Sequence, residues 1–209
     1  MNTWQPRKTV RDRFAVIREH VAGRSVLDVG VVRSRPAVQP TLERIEALPD
    51  SLFRRIVELN PEALGIDVDA AGIGALRAKG YNVEHADAQT MDLGRRFDTI
   101  VAGEVIEHLE NPGQFLHNLR RHARPGGVLI LSTPNPFYLK QTWKILRGKP
   151  PAVHEEHTAW FDPITLGQLL IRTGWQPEEW FWIQPARRPW SWIQVWRGYA
   201  AHSFLVLAR

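Results

Sequence analysis

Short apolar runs with many β-branched residues alternate along the chain with longer segments whose apolar residues recur at helical spacing. Within residues 97–136, an apolar run over 97–102 precedes a segment in which Phe115, Leu116 and Leu119 share one helical face. Unbroken apolar runs are typical of strands buried on both faces of a parallel sheet. The alternation therefore predicts an α/β fold in which helices cover both faces of such a sheet.

The same pattern continues on both sides of this stretch. It predicts strands over residues 25–30, 63–66, 81–84, 97–102, 128–131, 176–183 and 203–208. It also predicts a helix from residues 111–112 to the Pro-Gly-Gly at 125–127, and helices over residues 8–21, 41–48, 51–59, 71–79, 137–147 and 163–172. Asp69 is placed to cap the helix over 71–79. Because no repeat or low-complexity linker interrupts these elements, we expect residues 1–209 to form one domain, with an N-terminal helix within residues 1–24.

Composition narrows the class of protein but does not decide the function. The chain has 209 residues, which suffices for one sizeable core. It has no cysteine, so disulfides and thiolate metal sites are excluded. The first residues are charged and no segment has the apolar length of a membrane span, so we expect a cytoplasmic protein. A formal charge of +5 suits anionic partners, although dispersed arginines are more often simply part of a solvated surface.

Five stretches resemble, in their order, the class I S-adenosylmethionine (SAM) dependent methyltransferases. They are VLDVG at 26–30, GID at 65–67, ADA at 86–88, residues 97–136, and the segment from HTAWFDP at 157–163 through 175. The nearest branch includes quinone O-methyltransferases and enzymes that act on sugars and lipids. The resemblance implies a Rossmann-like fold with a mostly parallel seven-stranded sheet, an antiparallel C-terminal edge hairpin, and SAM as the cofactor, with S-adenosylhomocysteine as its product.

The resemblance also implies which residues bind the cofactor. A carboxylate at a strand end can accept hydrogen bonds from a ribose diol or an adenine amine, and the chain offers such groups in the expected places. A strand-end aspartate that caps a helix or a turn, and a solvated loop glutamate, are the alternatives. The implied cofactor-binding residues are Asp28, Gly30, Asp67, Val68, Asp87, Ala88 and Glu104.

The clearest departure from the family lies after the first of these stretches. The glycine-rich turn of the family reads Gly30-Val31-Val32-Arg33-Ser34 here, so only its first glycine remains. The separation of Asp28 from Asp67 also exceeds the roughly 20 to 30 residues that a strand-turn-helix-strand needs, which predicts an insertion near the cofactor. Arg33 and Arg35 would then face either the cofactor's carboxylate, an anionic substrate or solvent.

Methyl transfer to a hydroxyl requires that a proton leave, and histidine has a suitable pKa range. His108 and His157 are therefore the candidate catalytic residues. His108 ends a Glu-x-x-Glu-His segment similar to one that carries magnesium in some quinone-methylating relatives. The same residues are also typical of the polar first turn of a helix. We therefore predict no bound metal, and a magnesium site is the alternative. His154-Glu155-Glu156-His157 lacks the spacing of the zinc-protease motif, and we interpret it as a substrate loop.

A tryptophan-rich C-terminal segment predicts a cover over the acceptor. Residues 137–162 and 184–202 are the candidate cap segments, and residues 192–199 would share an aromatic face if helical. Such a cap would suit a lipid-linked or aromatic acceptor, or peripheral contact with a membrane. The alternative is that these aromatic side chains close the core or a homodimer interface. The tryptophans concerned are Trp180, Trp182, Trp190, Trp192 and Trp196.

We therefore predict a SAM-dependent methyltransferase that acts on the oxygen of a small, sugar-like or lipid-linked acceptor. Nucleic acid is not a predicted partner, because no RNA-binding module is recognisable. One rival is a noncatalytic SAM-binding or nucleotide-binding module with a degenerate glycine loop. The other is a nicotinamide-dependent oxidoreductase, which the absence of a G-x-G-x-x-G turn and of a Tyr-x-x-x-Lys pair disfavours.

Overall fold

An eight-stranded sheet organises this protein in a computed structural model that describes residues 6–32, 51–151, 153–184 and 197–209. Its spatial order is β1-β7-β8-β6-β5-β2-β3-β4. The pairs are parallel, except that β8 runs antiparallel to both of its neighbours. The strands are β1 (Lys8–Val10), β2 (Val26–Val29), β3 (Leu64–Asp67), β4 (Val83–His85), β5 (Phe97–Gly103), β6 (Ala123–Pro134), β7 (Pro177–Ile183) and β8 (Ser203–Ala208).

Helices cover both faces of this sheet, as the apolar pattern predicts. Successive residues of β5 belong to different cores: Ile100 and Ala102 pack with the helices that follow β5, while Val101 packs with the helices that precede it. The α-helices are α1 (Phe14–Ile17), α2 (Leu52–Leu59), α3 (Ala70–Ala78), α4 (Pro112–His122), α5 (Leu139–Leu146), α6 (Pro163–Arg172) and α7 (Arg197–Ala200), with 3₁₀ helices at Arg18–His20 and Ile106–His108. The predicted α/β fold is confirmed.

Side-chain caps start two of the helices that flank the site. Asp69 accepts hydrogen bonds from the backbone N–H groups of Ala71 and Gly72, as the sequence predicts for this helix. Ser51 accepts from the N–H of Arg54 and starts α2. These caps fix where each helix begins relative to the strand ends.

The predicted N-terminal helix over residues 8–21 is wrong in its first part. Lys8, Thr9 and Val10 form β1, which pairs parallel with β7, and helix begins only at Phe14. Pairing with β7 outweighs the helical pattern of residues 8–10. The edge of β7 has backbone groups that β1 can pair with, and Glu179 forms an ion pair with Lys8. The sheet consequently has one strand more than the seven implied by the resemblance, and the antiparallel β7-β8 pair is covered at its outer side.

Several sequence predictions fall outside the described residues. These are the helix over 41–48, Arg33 and Arg35, and Trp190, Trp192 and Trp196 of the candidate cap. The tryptophans that the structure describes do not share one role. Trp180 is buried in the core beside Phe204, which matches the core alternative, while Trp182 is partly exposed. None of the described helices has the length and apolarity needed to cross a bilayer.

Candidate cofactor and acceptor site

A cleft opens where the order of the strands along the chain reverses, between β5 and β2. In an open parallel sheet this reversal leaves a crevice at the carboxyl ends of the strands, where ligands bind. The cleft has a volume of about 190 Å³. It is lined by Asp12, Arg13, Asp28, Val29, Gly30, Val31, Ser51, Leu52, Phe53, Arg55 and Gly103, so the predicted residues Asp28 and Gly30 lie in its wall.

Gly30 makes the turn out of β2 and satisfies a conformational requirement that only glycine meets easily. Its φ is +78°, and its N–H donates to the carbonyl of Ile66 over 2.9 Å. A Cβ at this position would lie 2.6 Å from Cγ2 of Val105. The turn therefore brings backbone close to the crevice, which is the geometry that SAM needs from the first glycine of the family motif.

Asp67 ends β3 and holds the turn in place. Its Oδ2 accepts the N–H of Val32 over 2.8 Å, and its Oδ1 accepts the N–H of Asp69 over 3.0 Å. Partial burial raises the pKa of Asp67, while these two backbone bonds oppose that rise. Each carboxylate oxygen keeps a further lone pair for a ribose hydroxyl. Val68 follows with 64% of its surface exposed, as expected for a residue that offers an apolar face to a ligand.

Asp87 and Ala88 follow β4, the strand beside β3. Oδ1 of Asp87 accepts the N–H of Gln89 over 2.8 Å, which forms a turn at the end of the strand. Ala88 is buried, and its carbonyl accepts from Nδ2 of Asn118 over 3.0 Å. The loop is thus anchored to α4 through its carbonyl, so the half-buried Asp87 carboxylate is held at the same sheet edge as Asp67.

Arg13 connects the cleft to the loop after β5, and sequence reasoning missed it. Its Nη1 lies 3.3 Å from Oε1 of Glu104 and donates to Oγ of Ser132 over 3.2 Å. Glu104 adopts a φ of +60°, a left-handed conformation that is strained for a residue with a Cβ. No sequence motif marks Arg13. It reaches the carboxyl ends of β5 and β6 because β1, the strand beyond the expected seven, and the short helix α1 place it there.

Asp28 lies deeper in the same wall. It is 3% exposed, and burial raises its pKa to about 8, against the opposing influence of Arg13. A neutral carboxyl at this position can donate as well as accept a hydrogen bond. The side chain is therefore able to line the cleft without a buried charge.

Val32 stands where the glycine-rich turn of the family has a second glycine, and a glycine elsewhere makes room for it. A Cβ on Gly72 of α3 would overlap Cγ1 of Val32. The Val32 side chain therefore packs directly on the backbone of α3, while its N–H bonds to Asp67. Together with the Gly30 turn, these contacts hold the start of the altered loop, up to Val32, at the carboxyl ends of β2 and β3.

Three histidines converge beside the loop that follows β5. The ring centroids of His108 and His157 are 4.6 Å apart, and those of His154 lie 5.5 Å from His157 and 5.8 Å from His108. The structure thus brings together the two predicted catalytic candidates and adds His154, which sequence reasoning had assigned only to a substrate loop. Burial lowers the pKa of His108 and of His157, and the charge of the nearby Glu104 opposes that effect at both rings.

Glu107 takes no part in this cluster of rings. Its carboxyl is 1% exposed, and its Oε2 accepts from the hydroxyl of Thr133 over 3.1 Å. Burial raises its pKa to about 8. One oxygen of the second glutamate of the Glu-x-x-Glu-His segment is therefore bonded within the protein, while its Oε1 is buried without a hydrogen-bond partner among the described residues. Among the described side chains, Glu104, Glu107 and His108 do not converge as a metal-binding group, so the geometry does not support the magnesium alternative.

Comparison with known families decides where the chain belongs. A family profile described as a methyltransferase domain matches residues 45–179, which is more than half of the chain. The chain belongs to this methyltransferase family. The profile spans β3 to β6 and the first residues of β7, with the loops that carry Asp67, Asp87, Glu104 and the three histidines, so the resemblance drawn from the sequence is confirmed.

Curated relatives of this methyltransferase are 23–30% identical to it over the segments that align. A probable S-adenosylmethionine-dependent methyltransferase of Mycolicibacterium smegmatis is 28% identical over 127 residues, covering 59% of this chain and 47% of the relative. A ubiquinone biosynthesis O-methyltransferase of a Bradyrhizobium species is 30% identical over 121 residues, covering 50% of this chain and 46% of the relative. The chain thus spans about half the length of these relatives.

Solved structures show that the fold is shared more widely than the sequence. The N-methyltransferase NodS from Bradyrhizobium japonicum, solved with S-adenosylhomocysteine, aligns with a TM-score of 0.56 at 17% identity, over 94% of this methyltransferase and 84% of NodS. The predicted Rossmann-like fold and the predicted cofactor, SAM, are supported by such neighbours. The individual site residues remain predictions.

Proposed function

We propose that this domain transfers a methyl group from SAM to a hydroxyl oxygen of a small acceptor. When bound, SAM supplies a methyl group on a sulfonium, which an oxygen nucleophile can take by in-line displacement. The observation that supports an oxygen acceptor is the histidine cluster beside Glu104, since a hydroxyl must lose a proton and neutral imidazoles can accept one. The ubiquinone O-methyltransferase relatives support the same chemistry.

The chain's own residues divide the work between two sides of the cleft. Gly30, Asp67, Val68, Asp87 and Ala88 would hold the nucleoside part of SAM at the ends of β2, β3 and β4. Asp28 lines the side towards β5, and Glu104, which is paired with the cleft residue Arg13, would contact SAM from the same side. His157 and His108 would face the acceptor and receive its proton. The protein contributes mainly by alignment and by excluding water, since the methyl transfer itself needs no covalent intermediate.

The exposed apolar surface of α5 favours a lipid-linked acceptor. Phe137, Trp143 and Leu146 are 56%, 54% and 74% exposed, and residues 137–151 contain no acidic side chain. Side chains of this size rarely gather on an exposed surface without a binding role. Their position within the predicted cap segment 137–162 suits a hydrocarbon tail. Contact of this surface with an anionic membrane, and a homodimer, remain predictions.

The cofactor assignment is tested by titrating the protein with SAM, S-adenosylhomocysteine and NAD in a calorimeter, with Asp67→Ala as the variant. Asp69→Ala is the matched control, because it removes a helix cap but no proposed cofactor contact. We expect Asp67→Ala to weaken binding of both sulfur ligands and Asp69→Ala to leave it nearly intact. Binding of NAD alone would support the oxidoreductase rival. Absence of binding to folded protein would support the noncatalytic module.

The acceptor assignment needs a separate experiment with methyl-deuterated SAM and a panel of phenols, sugars and amines. Mass spectrometry then locates the transferred label on oxygen or on nitrogen. We expect labelled ethers from hydroxyl acceptors, with a lower kcat in His157→Gln and an unchanged affinity for S-adenosylhomocysteine. Labelled amines alone would refute O-methylation while leaving the cofactor assignment standing.

A further inference from the structure

Two segments that lie far apart in sequence bring three imidazoles together. His108 ends the 3₁₀ helix after β5, and His154 and His157 belong to the loop between α5 and α6. One nitrogen of each ring lies within 4.8 Å of the corresponding nitrogens of the other two. In the part of the chain that the structure describes, this is the one group of three histidine, aspartate or glutamate side chains that converges in this way.

Backbone hydrogen bonds build this arrangement, so it does not depend on the side chains alone. The N–H of His157 donates to the carbonyl of His154 over 3.0 Å, and this turn places both rings on the same side. The next residue, Thr158, donates its N–H to the carbonyl of Glu107 over 2.8 Å and its hydroxyl to the carbonyl of Leu109 over 2.7 Å. The histidine loop is therefore bonded to the residues on either side of His108.

The three imidazole nitrogens indicate which class of metal ion would bind. Three imidazoles suit zinc, cobalt, nickel and copper, whereas magnesium and calcium prefer oxygen ligands. Tetrahedral zinc has Zn–N bonds near 2.0–2.1 Å, which places its ligand nitrogens about 3.3 Å apart. The rings need to approach each other by at most about 1.5 Å to meet that spacing, and His108 and His154 are partly exposed and can turn.

A carboxylate beside the rings adds negative charge for a cation. Oε2 of Glu156 lies 3.9 Å from Nδ1 of His108 and 4.0 Å from Nδ1 of His154. Glu107, in contrast, is buried against Thr133. The carboxylates that a magnesium site would need are thus not brought together beside the rings. The converging ligand atoms are imidazole nitrogens instead.

We propose that His108, His154 and His157 form a binding site for a divalent transition metal ion of the zinc class. Three protein ligands leave a coordination position for an outside oxygen, which is the arrangement of catalytic rather than structural zinc sites. The chemical role of the ion rests on the proposed function: it would bind the acceptor's oxygen and lower the pKa of the hydroxyl, whose proton would pass to solvent water instead of to a free imidazole. This proposal revises the expectation of no metal drawn from sequence.

The test uses the full chain without a polyhistidine tag. Cobalt(II) is titrated into the protein and followed by its visible absorption, and zinc is then added in competition. His154→Ala is the main variant, since His154 has no part in the proposed proton transfer and is exposed. His117→Ala is the matched control, because it removes an exposed histidine on α4.

We expect one cobalt per chain, with tetrahedral absorption that zinc displaces. His154→Ala and His157→Ala should each lower the affinity at least about tenfold, since even loss of a residue that only orients a ligand costs that much. His117→Ala should match the unaltered protein. Absence of stoichiometric binding, or equal affinities in His154→Ala and the unaltered protein, would overturn the site. The cobalt titration contains neither SAM nor an acceptor. Its result therefore tests metal binding independently of whether the protein transfers a methyl group.

Discussion

Cγ1 of Val32 occupies the space that a Cβ of Gly72 would enter, so the two atoms could not be present together. The turn after β2 thus contacts helix α3 in the candidate cofactor site: the side chain of Val32 on the turn packs against the backbone of Gly72 on the helix. The contact explains how the turn keeps its course with valine at this position.

Gly72→Ala is expected to destabilise the protein and to weaken its affinity for S-adenosylhomocysteine. The added methyl would displace Val32, whose N–H bonds to Asp67, and overpacking of this kind costs about 1–3 kcal/mol. Gly74→Ala on the same helix is the control: its Cβ meets nothing within 4 Å, and it should gain up to about 1 kcal/mol in helix propensity. Urea unfolding and calorimetric titration measure both effects.

A second substitution separates steric displacement from a general effect on α3. Val32→Gly, combined with Gly72→Ala, removes the clashing side chain and should restore most of the lost affinity. If Gly72→Ala behaves like Gly74→Ala, or if Val32→Gly restores nothing, the Val32–Gly72 contact does not position the turn.

The stability of the protein should fall as pH rises, through Asp28. Because its folded pKa is raised to about 8 from an ordinary value of 3.8, the stabilising contribution of its proton is fully present below pH 4 and is lost as pH rises through 8. A side-chain amide imitates the neutral carboxyl, so Asp28→Asn should remove a pH dependence on the order of a few kcal/mol. Urea unfolding at roughly pH 5.5 and pH 8.5, which spans most of this window, measures the difference.

Asp98→Asn is the natural control for that experiment. Hydrogen bonds from Ser25 and the charge of Arg124 lower the pKa of Asp98, so its contribution is present above its ordinary pKa and is lost only in acid. This variant should shift stability equally at the two pH values. An unaltered pH dependence in Asp28→Asn would show that Asp28 ionises normally in the folded protein.

Thr158→Val should loosen the metal site without removing a ligand. The hydroxyl of Thr158 bonds to the carbonyls of Glu107 and Leu109, and the loss of one such bond costs about 0.5–1.5 kcal/mol. We therefore expect cobalt affinity to fall roughly 2- to 10-fold. Thr142→Val, an exposed position on α5, should leave it unaltered. Equal cobalt affinities in the two variants would mean that the hydroxyl bonds do not position His157.

The exposed side chains of α5 should matter most for acceptors with hydrocarbon tails. Burial of a leucine side chain is worth about 1.5–3 kcal/mol, so Leu146→Ser should raise KM for a long-tailed acceptor by about tenfold or more and leave a short-chain analogue unaffected. Ile171→Ser removes a 41%-exposed apolar side chain from α6 as the control. A common rise for both acceptors would argue against a tail-binding surface, and tail selectivity that appears only on anionic vesicles would indicate membrane contact instead.

Patterns with local causes could be predicted from the sequence, and features made by long-range pairing could not. Helix α6 and strand β8 have the bounds that their periodicity predicts, because each has a clear apolar face or run and a capping or boundary residue. Asp67 and Asp87 could be proposed because they lie at or just after the ends of strands. Arg13 and His154 could not, because their neighbours in space are supplied by other elements and neither residue lies in a local motif.

The contact between Val32 and Gly72 also could not be predicted from the sequence. The missing glycine of the turn was visible, but its compensation depends on how α3 packs on the turn, and no local signal distinguishes Gly72 from Gly74. The same limit applies to the histidine cluster. The spacing of His154 and His157 argues correctly against a helical zinc motif, yet a loop turn places the two rings together.

Strand β1 also sets the order in which the fold can be completed. Lys8 pairs with Glu179, 171 positions further along the chain, so β1 cannot dock until the segment that contains β7 has been synthesised. Arg13 follows that strand and reaches the cleft only once the strand has docked. The cleft would therefore be completed only after β7 has formed, and a nascent chain that has formed β2 to β6 would still lack the ion pair between Arg13 and Glu104.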